Sequence, residues 1–307
     1  MAYFLIMRWL SDDAVARLRL AADRPDLSGT RYEIRSELGR GGMGTVYLAE
    51  DTVLERPVAL KVLTLEGSDA SEAERLLREA RVMAGLEHPG LVPVHDAGLL
   101  PDGRVFYAMK LVRGQSLDRY AAAGPALSER LAVFRKICEA VAFAHARGVV
   151  HRDLKPENVM IGAFGEVLVL DWGVARRAQD PAEPGGTVIG TRDYMAPEQA
   201  GGRIDLVDAR ADVYALGAIL RDLLDSPPTA LAAVAARAMA PRPEDRYATV
   251  EELSADIGRF LEGEATSAHR EGPLERAGRF FRRYRTPILL VLAYLAMRAL
   301  LILFLHR

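Results

Sequence analysis

Residues 151–160 read HRDLKPENVM, and this run sets a demand that any fold of the chain must meet. Five ionisable side chains (His151, Arg152, Asp153, Lys155 and Glu157) and Asn158 fall within eight positions. Val149 and Val150 precede them, and Val159, Met160 and Ile161 follow. Charge is tolerated between apolar strands only where it is paired, hydrogen-bonded or bound to a ligand. The stretch VALKVL raises the same demand, because it puts Lys61 inside an apolar strand. Glu79 is a candidate counter-charge, on the inward stripe of a helix that carries Leu76, Ala80, Met83 and Leu86. The other reading is a lysine that reaches the strand edge and solvent.

LGRGGMGTVY places Gly39, Gly41 and Gly44 at G-x-G-x-x-G spacing. A dinucleotide site would need a helix straight after it, so that the helix N-terminus meets the pyrophosphate. Here the β-branched, alternating TVYLAED follows instead. The glycines are therefore expected in a hairpin turn whose backbone can close over phosphates, unless it is a glycine-rich hairpin with no ligand. LVLDWGVAR puts Asp171 at the end of an apolar strand, before a Trp-Gly turn. A carboxylate there can hold a hard cation, and the carbonyl oxygen of Asn158, thirteen residues earlier, can supply a second ligand. GTRDYMAPEQ, Gly190 to Gln199, closes the segment.

The chain of 307 residues can hold a core of two lobes. Its net charge of -2 gives no sign of a nucleic-acid partner. One cysteine, Cys138, excludes an internal disulfide and any cysteine-built zinc site. It sits in a helical pattern with Leu131, Phe134, Ile137 and Val141, which predicts a buried, inert thiol. RYEIRSEL, TVYLAED and RPVALKVL read as strands, a helix starts near Ser68, and LVPVHDAGLL and RVFYAMKLV are strand-like. From about residue 115 helical patterns dominate, so an α+β fold is expected, with a β-rich small lobe joined to an α-helical large lobe.

The two ends differ. MAYFLIMRWL lacks a basic region and a cleavage site, so it is not read as a signal peptide, and Ser11-Asp12-Asp13 reads as the cap of a short helix. Near the C-terminus, Ile288 to Leu305 runs 18 residues with one charge, Arg298. A helix of that length spans about 27 Å, close to the hydrocarbon thickness of about 30 Å. Its twelve Leu, Ile, Val and Phe residues contribute roughly -4 to -7 kcal/mol towards insertion, against about +3 kcal/mol for Arg298. Arg276, Arg279, Arg282, Arg283 and Arg285 before it mark the cytoplasmic side. A single-pass tail anchor in membrane lipid is expected, the alternative being a helix that lies on the membrane or on a partner.

Together the motifs carry a resemblance. Gly39-x-Gly41-x-x-Gly44-x-Val46, Val58-Ala59-Leu60-Lys61, His151-Arg152-Asp153-Leu154 to Asn158, Asp171-Trp172-Gly173 and Ala196-Pro197-Glu198 occur in the order found in protein kinases. Over about residues 31–262 the chain resembles a bacterial, membrane-anchored, eukaryotic-like (Hanks-type) serine/threonine protein kinase. The resemblance implies the two-lobed kinase fold, ATP and Mg²⁺ as ligands, and protein serine or threonine hydroxyls as acceptors. It divides the chain into an N-terminal extension (1–30), a small lobe (31–112), a large lobe (113–262), a basic juxtamembrane linker (263–287) and a transmembrane helix (288–305).

By the same resemblance, Asp153 would accept or orient the hydroxyl proton and Lys155 would neutralise charge on the γ-phosphate. Asn158 and Asp171 would hold magnesium, and Lys61, fixed by Glu79, would grip the α- and β-phosphates. Val46, Ala59 and Met160 match adenine-sandwiching positions and Met109 a gatekeeper, with Leu38, Gly42 and Leu111 completing the nucleotide pocket. Asp212 would anchor the catalytic loop, and Arg246 would pair with Glu198. Thr187 and Thr191 are the activation-segment hydroxyls suited to phosphorylation, and Arg152 could pair with a phosphate on Thr187.

Three features depart from the family pattern. Trp172 replaces a phenylalanine, and Lys110 stands where an acidic hinge residue is common. DSPPT leads almost directly from one helix into the next, so a helix that commonly docks protein substrates is missing. Such an enzyme is expected to find substrates through membrane location or through self-association as a homodimer. The competing functions are a membrane-bound pseudokinase that scaffolds ATP, and a small-molecule phosphotransferase. Retention of Lys61, Asp153 and Asp171 opposes the first, and the peptide-binding look of GTRDYMAPEQ opposes the second.

Overall fold

The computed structural model describes residues 24–41, 44–63, 77, 80–81, 83–172, 176–177, 192–203 and 206–305. The helix expected after Ser11, and Gly42, Glu79, Thr187 and Thr191, lie outside these residues. The chain divides into two compact units, Met1–Gly114 and Gln115–Arg307.

The first unit is built on five strands: β1 (Tyr32–Gly41), β2 (Gly44–Asp51), β3 (Arg56–Leu63), β4 (Val94–Leu99) and β5 (Val105–Lys110). They form one sheet of order β1-β2-β3-β5-β4, with antiparallel pairing throughout. β3 has a neighbour on each side and is buried from Val58 to Leu63, as an interior strand covered on both faces must be. Its side chains alternate between two faces. Val58, Leu60 and Val62 join Tyr32, Tyr47, Ala49, Phe106 and Ala108 in the core, which leaves Ala59 and Lys61 to the opposite face. The β2–β3 turn is held by Asp51, whose Oδ1 accepts from the backbone N–H of Val53 (3.3 Å) and Leu54 (3.2 Å). Of the helix expected after Ser68, the described Leu77, Ala80, Arg81, Met83 and Ala84 are helical, and Ala80, Met83 and Leu86 are buried as the stripe requires.

β6 (Gly114–Ser116) straddles the division, and the second unit continues with α1 (Leu117–Ala122) and α2 (Leu127–His145). Two small sheets flank the charged loop. These are β7 (Val149–Val150) with β10 (Arg176–Arg177), and β8 (Val159–Gly162) between β6 and β9 (Val167–Val169). Helices α3 (Pro197–Ala200), α4 (Ala209–Leu223), α5 (Thr229–Ala238) and α6 (Val250–Leu261) follow. The apolar period of α2 buries Leu131, Phe134, Ile137, Cys138 and Val141 against α6 and β9, and burial raises the Cys138 thiol well above its usual range. Residues 224–228 join α4 to α5, so the two helices follow one another with no helix between. They approach closely at Gly217, where an added Cβ would stand 2.7 Å from Ala238 Cβ and 2.9 Å from Met239 Cγ.

Within the stretch read as a linker, Ser267 and Ala268 are held to α6. The buried carboxylate of Asp256 accepts from Ser267 N (2.7 Å), Ser267 Oγ (2.7 Å), Ala268 N (3.2 Å) and Tyr247 OH (2.7 Å). Arg259 Nε (2.8 Å) donates to it as well. Helices α7 (Pro273–Arg283) and α8 (Arg285–Leu305) end the described chain. Leu289, Leu290, Val291, Leu292, Leu295 and Leu301 of α8 are all exposed. The side chains at 299, 300 and 303–305 are outside the described set. Among the described residues no helix is long and apolar enough to cross a membrane.

Candidate active site

In the first unit, the hairpin between β1 and β2 brings the glycines together. Gly39 lies opposite Val46 and Gly41 opposite Gly44, with residues 42–43 between. Gly44 has φ +144°, and a Cβ there would meet Val62 O at 2.2 Å, so only glycine fits. At Gly39 and Gly41 a Cβ would meet nothing within 4 Å. Packing among the described residues does not call for glycine at those two positions. Their bare backbone leaves room for a ligand to approach.

Directly opposed residues of an antiparallel pair share a face. Lys61 lies opposite Val46 on β2 and Tyr107 on β5, while Ala59 lies opposite Met109. Val46, Ala59, Lys61 and Met109 therefore line one face of the sheet. Lys61 is only 4% exposed, and its Nζ stands 6.0 Å from the centroid of the Tyr107 ring, a favourable seat for a cation. No motif marks Tyr107. Its signal was the alternation of RVFYAMK, which puts position 107 on the face of Met109. Leu111 is half-buried and Leu38 exposed.

In the second unit, the charged loop hangs from Asp212, a wholly buried residue in the first turn of α4. Asp212 Oδ2 accepts from His151 N (2.8 Å) and Oδ1 from Arg152 N (2.8 Å), and His145 Nε2 lies 2.7 Å from Oδ2. Burial pushes this carboxyl up, but the contacts from His145 and His151 outweigh it and hold it below the usual carboxylate range. His151 Nδ1 accepts from Asp153 N (3.3 Å), so Nε2 carries the proton and donates to Leu170 O (2.9 Å). The same imidazole packs on Trp172, with ring centroids 4.5 Å apart. The aromatic that departs from the family pattern thus supports the loop.

These ties present Asp153. Lys155 Nζ lies 3.0 Å from Asp153 Oδ2, and Asn158 Nδ2 donates to Asp153 O (2.8 Å) and Oδ2 (3.3 Å). With its amide nitrogen committed, Asn158 has Oδ1 left for a hard cation. Leu170 N donates to Asn158 O (2.8 Å), which seats the residue before Asp171 on Asn158 although they lie far apart in sequence. Asp171 (φ 55°) and Arg152 (φ 69°) both adopt left-handed backbone, which costs roughly 1 to 3 kcal/mol each and is retained where surrounding contacts enforce it. Met160 is half-buried on β8. Among the described residues no group of three or more His, Cys, Asp or Glu could hold a metal alone. Two oxygen donors suit magnesium, which keeps several waters and takes phosphate oxygens.

Behind the loop, Arg246 makes a two-pronged pair with Glu198 (2.7 and 2.8 Å), both fully desolvated, as the resemblance implies. Gln199 Nε2 donates to Arg152 O (3.0 Å), a tie that nothing in the sequence singled out.

A buried lysine beside a glycine hairpin, and an aspartate clamped by lysine and asparagine, are the parts that phosphoryl transfer requires. The sequence pattern of the protein kinase domain matches residues 32–261, and the chain belongs to that family. It is 39% identical over 283 residues to serine/threonine-protein kinase PknB of Mycobacterium tuberculosis, covering 80% of this chain and 45% of that protein. It is 35% identical over 293 residues to serine/threonine-protein kinase PknD of Chlamydia abortus, covering 76% of this chain and 31% of that protein. The chain thus spans less than half the length of either relative. Among solved structures, the PknI kinase domain of Mycobacterium tuberculosis is similar, with a TM-score of 0.57 and 31% identity over 75% of this chain and 95% of that one.

Proposed function

We propose that this chain transfers the γ-phosphoryl group of ATP to serine and threonine hydroxyls of proteins, its own activation segment included. The observation that carries the reading is the Asp153 carboxylate held between Lys155 Nζ and Asn158 Nδ2, on a loop suspended from buried Asp212. The names of the relatives support serine/threonine specificity. In the reaction the hydroxyl oxygen bonds to the γ-phosphorus while the bond to the β–γ bridging oxygen breaks and ADP departs. Asp153 takes the hydroxyl proton, and Lys155 offsets charge on the γ-oxygens. By the family resemblance, Lys61 would hold the α- and β-phosphates with Glu79 as its counter-charge, together with the backbone of Gly39, Gly41 and Gly44. By the same resemblance, Val46, Ala59, Met160, Leu38, Met109 and Leu111 are the residues assigned to the adenine. Asn158 and Asp171 would hold Mg²⁺, which when bound neutralises phosphate charge. Positioning and charge stabilisation are most of what this chemistry asks of a protein.

We also read residues 288–305 as a membrane anchor with the kinase unit on the cytoplasmic side, supported by the apolar run and the arginines before it. The short 224–228 connection leaves little docking platform, which favours substrates met at the membrane or in a second copy of the chain.

The test uses the purified full chain with labelled ATP, Mg²⁺ and a generic basic protein. Asp153→Asn should lower transfer by roughly 10²- to 10⁴-fold, the usual contribution of a general base, while nucleotide binding persists. Phosphosite mapping should find Thr187 modified in the parent and unmodified in the variant. Equal turnover in the two proteins would sink the assignment.

A further inference from the structure

We infer that α7 is an in-plane membrane helix whose arginines take the phosphate headgroups of an anionic lipid surface. This deepens the anchor reading above and rests on it for the position of α7 near the bilayer. At 100° per residue, the helical register of Pro273–Arg283 gathers Leu274, Ala277, Phe280 and Phe281 on one side. Arg276, Arg279, Arg282 and Arg283 fall on the other, with Glu275 the only acid among them. Ala277, on the apolar side, is exposed, and so is Arg276 on the basic side. Arg279 is engaged by Glu271 (2.6 and 3.0 Å), and Glu275 by Gly272 N (2.9 Å) and His269. The remaining excess on that face is positive.

Such a helix, with an apolar side and an arginine side, is the chemistry of an interfacial segment. What decides the occupant is continuity. Only Tyr284, itself exposed, separates α7 from α8, whose exposed leucines begin one turn on at Leu289. The lipid that would cover those leucines is also the nearest candidate to cover the apolar side of α7. Each arginine close to an anionic surface strengthens binding by roughly fivefold, within about a Debye length.

The full chain is mixed with vesicles of phosphatidylcholine alone and of phosphatidylcholine with a third phosphatidylglycerol, then floated. Hydrogen exchange of the backbone amides of residues 276–283 reports on α7, and resistance to alkaline carbonate reports on α8. Slowed α7 exchange in the anionic vesicles only, reversed by 0.5 M salt and by the triple variant R276E/R282E/R283E, is the expected result. Carbonate-resistant chain with equal α7 exchange in both lipids and in the variant overturns this inference and leaves the anchor standing. Flotation with anionic vesicles that carbonate releases, with α7 protected, removes the anchor and keeps the inference. No flotation with either lipid removes both. Protection of α7 that appears without lipid and grows with protein concentration assigns the face to a second copy of the chain and overturns the lipid reading.

Discussion

Asp212 shows how one side chain can govern a loop it does not belong to. Two buried amide N–H groups, of His151 and Arg152, find their acceptors on it. Asp212→Ala should therefore lower the free energy of unfolding by about 3 to 5 kcal/mol, since each stranded donor costs roughly 1 to 3 kcal/mol and the polar cradle stays behind. Urea unfolding of the two proteins at pH 7 measures this. The native carboxyl is held below its ordinary value, so its contribution is complete above the unfolded pKa of about 4 and is lost as the pH falls through the depressed native value. The gap between parent and variant should accordingly stay constant from neutral pH to about pH 5 and close below that. A gap that instead closes as the pH rises would contradict the assignment.

The residues that carry charge into apolar surroundings were readable in the sequence because such placement demands a reason. Lys61 and Asp153 each announced themselves in this way, and their buried or clamped settings follow. His145 did not, since a histidine at the end of an apolar helix has nothing to mark it until α4 brings Asp212 within reach. Gln199 was silent for the same reason, as a partner reached only through folding.

At the scale of elements, glycine marks two opposite situations. In α4, Gly217 sits where an added Cβ would press on Ala238 of the neighbouring helix and on Met239 just after it. In α6, Gly258 has nothing within 4 Å of the corresponding position. Helix propensity alone favours alanine over glycine by about 1 kcal/mol at either site. Gly258→Ala should thus raise the midpoint of thermal unfolding. Gly217→Ala should lower it, by an overpacking penalty of roughly 1 to 3 kcal/mol that exceeds the propensity gain. Paired melts of the two variants decide the point. The strands and the large amphipathic helices were legible, because periods of two and of about 3.6 survive in any single sequence. The close approach at Gly217 was not, because it depends on which helix the fold sets beside α4.

At the scale of the molecule, residues 263–287 read as a polar, arginine-rich linker, yet Pro273–Arg283 within them forms α7 and the residues before it are tied down. The structure attaches Ser267 and Ala268 to Asp256, a contact between an acid on one helix and backbone eleven and twelve residues on. Burial pushes the Asp256 carboxyl up, while the Ser267, Tyr247 and Arg259 donors outweigh it and hold it low. Asp256→Ala should release this attachment. Trypsin cleavage after Arg270 in the full chain should then become much faster than in the parent, with the kinase unit itself still resistant. Equal digestion rates would show that the attachment does not hold the segment.

Because Asp256 grips the chain so soon after α6, there is little slack between that helix and the start of α7. Any pull or torque exerted on the C-terminal helices would arrive at Tyr247 and Arg259 almost undamped, much as a short rigid shaft delivers a twist that a rope would absorb.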